Sequence, residues 1–176
     1  MFKLSLIAVL LFLFHASLVQ AAPEKWLCHK TAGDHYLRSG KISNAVLEYK
    51  QALALYPDSP ETWFNLAIAC YRGQDLGGAV RTLEKAAALK PEDAEALYNL
   101  GCLCLYDGRT EQARNYFEKA KTVAQNDSYF LPLITRGLEF TEHLQDSPSQ
   151  GLVLYLLNHG LASALPFQEP DNGFRA

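Results

Sequence analysis

The amino-acid sequence repeats itself with a period of 34 residues. When the sequence is aligned with itself after a shift of 34 residues, small residues align with small residues and large apolar residues align with large apolar residues. Self-similarity at a fixed period of about 20–50 residues is the signature of stacked repeats that share one continuous core. The recurring sets are Gly33, Ala67 and Gly101; Ala45, Ala79 and Ala113; Tyr49, Leu83 and Phe117; and Ala52, Ala86 and Ala120.

Each 34-residue unit has the pattern of two α-helices. In the second unit, Ser59 and Pro60 are residue types that favour a helix N-cap and the first helical position. Apolar residues then recur at helical spacing. Pro91 ends the second helix, because the residue before a proline is disfavoured in helical geometry. We expect Ala67 to face Leu83 across the hairpin, since small side chains let two helix axes approach closely.

Three consecutive units carry the residues of a known helical-repeat pattern. They are His29, Ala32, Gly33, Tyr36, Ala45, Tyr49, Ala52 and Pro57; then Trp63, Leu66, Ala67, Cys70, Ala79, Leu83, Ala86 and Pro91; then Leu97, Leu100, Gly101, Cys104, Ala113, Phe117 and Ala120. This pattern resembles that of the tetratricopeptide repeat family. Gln74 stands where the other two units have a turn glycine. The resemblance implies an all-α fold, a right-handed α-solenoid of three repeats over about residues 24–57, 58–91 and 92–125.

After residue 125 the period fails. Asp127 predicts the start of a helix that runs to about residue 144, and a capping box at residues 147–150 predicts a second helix to about residue 164. A solenoid needs an atypical terminal unit to cover its last apolar face. We therefore expect a C-terminal capping hairpin over residues 126–165 and a flexible tail over residues 166–176.

The first 21 residues have the pattern of a secretory signal peptide. Lys3 gives a basic start, an uncharged and mostly apolar run follows over residues 4–14, and small residues around Ala21 provide a cleavage site. The run is shorter than the about 20 residues that a membrane span needs, although an uncleaved anchor is the alternative. We therefore expect residues 1–21 to be removed and the protein to be periplasmic or secreted.

Composition and motifs exclude several functions. The chain has 16 Lys and Arg against 19 Asp and Glu, a net charge of −3, whereas a nucleic-acid-binding surface shows a basic excess. No nucleophile elbow, phosphate-binding loop or metalloprotease motif is present. Cys102 and Cys104 are separated by one residue, whereas a thioredoxin-type pair is separated by two. The histidines are not at the spacing of metal ligands. From these missing motifs we expect that the chain is not an enzyme and that it binds no metal and no other cofactor.

A second apolar stripe runs along the first helix of the second and third units. Phe64, Ile68 and Tyr71 lie at helical spacing, on a side offset from the core stripe. A second apolar face indicates a binding surface, although contact with the neighbouring unit accounts for part of it. The resemblance implies that this stripe lines a concave peptide-binding groove. The predicted groove residues are Lys30, Arg38, Phe64, Asn65, Ile68, Tyr71, Arg72, Tyr98, Asn99, Cys102 and Leu105.

The polar residues of the predicted groove narrow the ligand. One branch of the family binds a C-terminal carboxylate through Lys and Asn in the first unit, Asn in the second, and Lys and Arg in the third. Lys30 and Asn65 match that branch, but Asp34 stands in place of the first Asn. In the third unit, Glu95 and Asn99 replace the Lys and the Arg. Because acidic side chains repel a carboxylate, we expect an apolar peptide or an amphipathic helix instead.

The expected function is a non-enzymatic protein-interaction module, a scaffold or assembly factor for an unidentified protein or peptide client. Arg38 and Arg72, at matching places in successive units, are expected to orient an acidic group of that client. One alternative is a self-assembling structural protein in which residues 152–161 fill the groove or cap of another copy. A second alternative is a thiol-active enzyme with Cys102 as nucleophile, which requires rapid alkylation of that thiol.

Overall fold

A computed structural model describes the backbone of residues 25–146 and the side chains of residues 25–142. The predicted signal peptide, the second capping helix and the predicted tail lie outside the described residues. Over the described range the chain forms seven α-helices, and none of them is long and apolar enough to cross a membrane. The helices are α1 (25–38), α2 (Ile42–Leu55), α3 (Pro60–Arg72), α4 (Leu76–Leu89), α5 (Ala94–Tyr106), α6 (Thr110–Val123) and α7 (Phe130–Asp146).

Consecutive helices pair into hairpins, which stack in chain order. The pairs α3–α4 and α5–α6 form extensive contacts, and α2 packs on α3 as α4 packs on α5. Helix α7 packs on both α6 and α5, the position that the first helix of a fourth hairpin would take. This arrangement confirms the predicted all-α array of helical hairpins.

Helix starts carry the capping residues that the sequence predicts. The Ser59 hydroxyl accepts a hydrogen bond from the Thr62 backbone N–H at 3.2 Å, and Pro60 is the first residue of α3. The Asp127 carboxylate accepts a bond from the Phe130 backbone N–H at 2.9 Å. These contacts satisfy backbone N–H groups that have no partner inside the helix.

The turn inside each hairpin requires a left-handed backbone residue. Gly40 has a φ of 71° between α1 and α2, and Gly108 has a φ of 74° between α5 and α6. Gln74 adopts the same conformation, with a φ of 61°, between α3 and α4. The position thus has a required geometry, which glycine adopts without steric cost and glutamine does not.

Small residues on the first helix of each hairpin make room for large residues on the second. A Cβ atom built on Gly33 would lie 2.6 Å from the Tyr49 ring, and one on Gly101 would lie 2.4 Å from the Phe117 ring. The middle hairpin has fully buried Ala67 instead, and its partner position is a leucine rather than an aromatic residue. The 34-residue period therefore conserves combined volume at each hairpin contact.

Candidate functional site

The side chains predicted to bind a ligand lie on the first helices of the three hairpins. We call the surface formed by these side chains of α1, α3 and α5 the groove face. On α3, Phe64, Asn65, Ile68 and Tyr71 are all half-buried. Phe64 and Tyr71 also pack against the core that α2, α3 and α4 share, and among the described residues Ile68 is not a member of that core. The groove face of α3 thus has a partly exposed apolar centre.

Asp34 organises the polar part of the groove face. Its Oδ1 atom accepts hydrogen bonds from the Tyr49 hydroxyl at 2.7 Å and from the Asn65 amide nitrogen at 3.0 Å. Its Oδ2 atom forms an ion pair with Lys30 Nζ at 3.1 Å, and Lys30 forms a second pair with Glu61 at 2.9 Å. One carboxylate therefore connects helices α1, α2 and α3.

This network engages Lys30 and Asn65, the two residues that match the carboxylate-binding branch of the family. The Lys30 side chain is only 12% exposed. Burial alone would lower the pKa of Lys30, but its hydrogen bonds to Glu61 and Asp34 outweigh burial and raise the pKa. Lys30 is therefore a charged but already paired cation, and Asn65 already donates to an acid. A ligand carboxylate would have to displace Asp34 from both.

The two predicted arginines differ in their surroundings. The Arg72 guanidinium donates a hydrogen bond from Nη1 to the Leu37 carbonyl oxygen at 3.1 Å, which links α3 to the end of α1. Arg38 is exposed. Both lie at the ends of their helices, so these two positive charges share one edge of the groove face, whereas Lys30 lies near the start of α1.

The third repeat corrects part of the predicted groove. Tyr98 and Asn99 are fully buried, and Cys102 and Leu105 are 5% and 4% exposed. The Tyr98 ring lies 5.8 Å from that of Phe117, and 6.0 Å from the Phe130 ring of α7, between ring centroids. The predicted accessibility of these four side chains is wrong, because they are packed inside the chain. The accessible groove face is on α1 and α3.

Asn99 has lost the partner that its counterpart one repeat earlier has. Asn65 donates to Asp34, but the residue 34 positions after Asp34 is Ile68. Among the described residues, neither the nitrogen nor the oxygen of the Asn99 amide has a hydrogen-bond partner. A buried amide without a partner is costly, and sequence comparison between repeats identifies the position at which it arises.

Burial also decides the chemistry of Cys102. It raises the pKa of the thiol to about 12, so almost no nucleophilic thiolate exists at neutral pH. Its burial and its raised pKa both disfavour Cys102 as the nucleophile of a thiol-active enzyme. All four cysteines are free thiols, and Cys28 is exposed. Over the described residues, no three His, Cys, Asp or Glu side chains converge as metal ligands.

A small cavity with an acidic majority lies at the start of α3 and α5. It has a volume of about 310 Å³, and its walls include Phe64, three acids and one lysine, namely Glu61, Asp93, Glu95 and Lys90. Burial, and then the negative charge of Asp93, raise the pKa of Glu95. Sequence reasoning used Glu95 only as a departure from the carboxylate-binding pattern. The sequence feature that could have indicated these acidic walls is the glutamate at positions 61 and 95, which are one repeat apart.

A larger cleft lies between α4 and α6, on the helices opposite the groove face, and sequence reasoning missed it. Its volume is about 670 Å³, against about 410 Å³ for the equivalent cleft between α2 and α4. Ala87 and Leu97 are smaller than Leu53 and Trp63, their counterparts in the preceding repeat, whereas Tyr116 is larger than Thr82.

A row of stacked helical hairpins with a partly apolar face on its first helices defines an α-helical repeat protein. Two family models, each described as tetratricopeptide repeat, match residues 30–91 and residues 73–136. The two matches together cover more than half of the chain, and the chain belongs to the tetratricopeptide repeat family. Domains of this family are typically non-enzymatic binding modules, and this chain is a protein–protein interaction module of that kind. No curated protein matches the sequence significantly.

Several solved structures share the fold. The first repeat domain of Spaghetti (RPAP3), bound to an HSP90 peptide, is 22% identical, with a TM-score of 0.62 over 70% of this chain and 95% of that one. The TPR2B domain of yeast Sti1, in a complex with pHsp70, is 18% identical, with a TM-score of 0.62 over 68% and 98%. The Yersinia enterocolitica type III secretion chaperone SycD, in complex with a peptide of the translocator YopD, is 14% identical, with a TM-score of 0.62 over 66% and 92%.

Proposed function

We propose that this chain is an exported scaffold or assembly factor that binds an apolar peptide or an amphipathic helix of a client protein on the groove face of α1 and α3. The solved relatives with bound peptides support peptide binding by a chain of this fold. The amino-terminal pattern of residues 1–21 supports export to a periplasm or to the medium.

The observation that carries the choice of ligand is the pairing of Asp34. Because Lys30 and Asn65 are already bound to it, the groove face offers no unpaired Lys–Asn pair to a terminal carboxylate. The partly exposed Ile68 and its aromatic neighbours favour apolar contacts instead. Exposed Arg38 is available to an acidic group of the client. A few such anchors correspond to micromolar affinity, about −8 kcal/mol.

Affinity capture with paired variants tests this proposal. Ile68→Glu puts a charge in the apolar centre of the groove face, and Leu47→Glu puts the same charge on a leucine of α2 that is 55% exposed. Proteins from the cell envelope or medium that bind the unmodified chain should be lost with Ile68→Glu and kept with Leu47→Glu. Retention of the same proteins by Ile68→Glu, with unchanged helicity in both variants, would contradict the proposal.

Two further measurements test the ligand type and the export. Synthetic peptides from a captured client should bind equally well with a free or an amidated C-terminus, because no carboxylate is recognised. A preference for the free carboxylate would contradict the role of Asp34.

Mass measurement of the protein purified from the envelope or medium should give a chain that begins at Ala22, and recovery of the uncleaved chain in the cytoplasm would contradict export.

A further inference from the structure

We propose that the uncharged segment at residues 150–165 docks onto the groove face of its own chain, against α3 and the exposed end of α5 at Tyr106. The proposal rests on the groove face of the proposed function but requires no client. A docked segment and a client would compete for the same side chains. The measured affinity for a client would therefore fall in proportion to the fraction of molecules whose groove face is uncovered.

The composition of the segment demands extensive burial. Residues 147–165 contain no Asp, Glu, Lys or Arg, and six consecutive apolar residues run from Leu152 to Leu157. Successive residues of a helix are about 100° apart, so six of them occupy its whole circumference. A terminal cap buries one face and presents a polar outer face to solvent. At these six positions the segment has no polar face, and it therefore needs a second apolar surface.

The groove face provides such a surface. Ile68 and its neighbours Phe64 and Tyr71 are half-buried, and Tyr106 at the end of α5 is 60% exposed. The stripe from Phe64 to Tyr71 is about 10 Å long at a rise of about 1.5 Å per residue. Six residues of a second helix cover about 9 Å on the same scale. The apolar part of the segment and the apolar part of the groove face therefore match in length.

The end of α7 places the start of the segment at the edge of the groove face where α3 and α5 also end. Helices α3, α5 and α7 run in the same direction, because one returning helix separates each from the next. Asp146 therefore ends α7 on the side where Tyr71 and Tyr106 lie. Helix axes in contact are about 8–10 Å apart, which puts α3 about 20 Å from α7. Residues 147–151, when extended, span up to about 17 Å, so the chain can bring Leu152 to α5 and the following turns to α3.

The exposed part of α5 on this side is its end. Tyr98, Cys102 and Leu105 are at most 5% exposed, so they leave little area for the segment to cover. Tyr106, the last residue of α5, is 60% exposed and offers an aromatic ring to the segment.

Photo-crosslinking in the full chain tests the proposal. Ile68 is replaced by p-benzoylphenylalanine, and the matched control carries the same residue at exposed Leu47. Irradiation at low protein concentration should crosslink position 68 to residues 150–165 in a product of monomer mass, and position 47 should give no such product. A product of dimer mass would overturn docking within one chain in favour of a second copy. Absence of any crosslink to residues 150–165 would overturn docking altogether.

Variants of the segment separate specific docking from random collision. Leu156→Asp combined with Leu157→Asp should reduce the crosslink yield at least tenfold, while Asn158→Asp should leave it within twofold. An undiminished yield in the double variant would contradict docking through the apolar residues. This outcome is distinct from the test of the proposed function. If Ile68→Glu loses the clients but no crosslink forms, only the docking is rejected. If the crosslink forms but Ile68→Glu still captures the clients, only the client site is rejected.

Discussion

At the scale of single residues, Gln74 is held in a backbone conformation that glycine holds in the other two hairpins. Its φ of 61° matches 71° at Gly40 and 74° at Gly108. A left-handed conformation costs a residue with a side chain roughly 1–2 kcal/mol, and the greater freedom of glycine in the unfolded chain offsets part of that cost. Gln74→Gly should therefore raise the free energy of unfolding by about 0.5–1 kcal/mol, measured by urea denaturation.

The reverse substitution is the control for Gln74. A Cβ atom on Gly108 would meet nothing within 4 Å, so only the backbone conformation opposes a side chain there. Gly108→Gln should lower the free energy of unfolding. A loss of stability in both variants would show that the Gln74 side chain, rather than its backbone, decides the effect.

The contact between Gly101 and Phe117 is the tightest of the hairpin contacts. A Cβ atom on Gly101 would lie 2.4 Å from the ring, which leaves no room for alanine. We expect Gly101→Ala to reduce the free energy of unfolding by about 1–3 kcal/mol through overpacking. Gly77→Ala is the matched control, because its Cβ would meet the flexible end of Arg81 at 3.2 Å and Asp75 Oδ1 at 4.0 Å. Equal effects in chemical denaturation would rule out overpacking.

Sequence reasoning at this scale succeeded where the cause is local. Ser59 caps α3 and Gln74 takes the turn position, because capping and turn geometry depend on a few neighbouring residues. It failed for Tyr98 and Cys102, whose spacing on α5 indicates an apolar stripe but not what covers that stripe. The cover of Tyr98 includes Phe130, which comes from beyond the last repeat.

At the scale of helices, α7 covers the third repeat. Ile134 is fully buried in the same core as Phe117 and Cys102. We expect Ile134→Ala to reduce the free energy of unfolding by about 2–4 kcal/mol and to speed the alkylation of Cys102 under native conditions. Peptide mass spectrometry measures that rate against exposed Cys28 in the same chain.

The control for α7 is a change on its exposed side. Glu139 is exposed, so Glu139→Ala should alter neither the stability nor the reactivity of Cys102. If Ile134→Ala lowered stability but left Cys102 as protected as before, α7 would not be the element that shields this thiol.

The start of α5 gives a pH dependence through Glu95. Burial and the nearby Asp93 raise its pKa above the value in the unfolded chain, so folding favours the protonated form. Its favourable contribution is complete below the unfolded pKa of about 4.3 and is lost as pH rises through the folded pKa. Glu95→Gln should therefore stabilise the protein at pH 7 and have no effect at pH 3.5.

Urea denaturation at the two pH values checks that sign. Glu92→Gln is the comparison, because Glu92 is exposed just before α5. A gain from Glu95→Gln that persisted at pH 3.5, or a similar gain from Glu92→Gln at pH 7, would show that the protonation of Glu95 is not its cause.

At the scale of the whole molecule, the repeat period predicts the array because each hairpin contacts only its neighbours. The recurring small residues, among them Ala67 and Gly101, indicate where the two helices of a hairpin approach each other. The groove face is less predictable, because it depends on how side chains from different hairpins meet. Asp34 looked like a charge that repels a ligand, and the structure shows a carboxylate that receives bonds from Tyr49 and Asn65.

The double role of Asp34 limits how this molecule can evolve. The same oxygen, Oδ1, holds Tyr49 and Asn65, and the same carboxylate pairs Lys30. A lineage that replaced Asp34 with asparagine to admit acidic peptides would lose the ion pair with Lys30. It would also leave Tyr49 and Asn65 a neutral acceptor, so the bond that joins the first hairpin to the second would be weaker. Ligand preference and mechanical cohesion are therefore inherited together here, and a change in one selects for repair of the other.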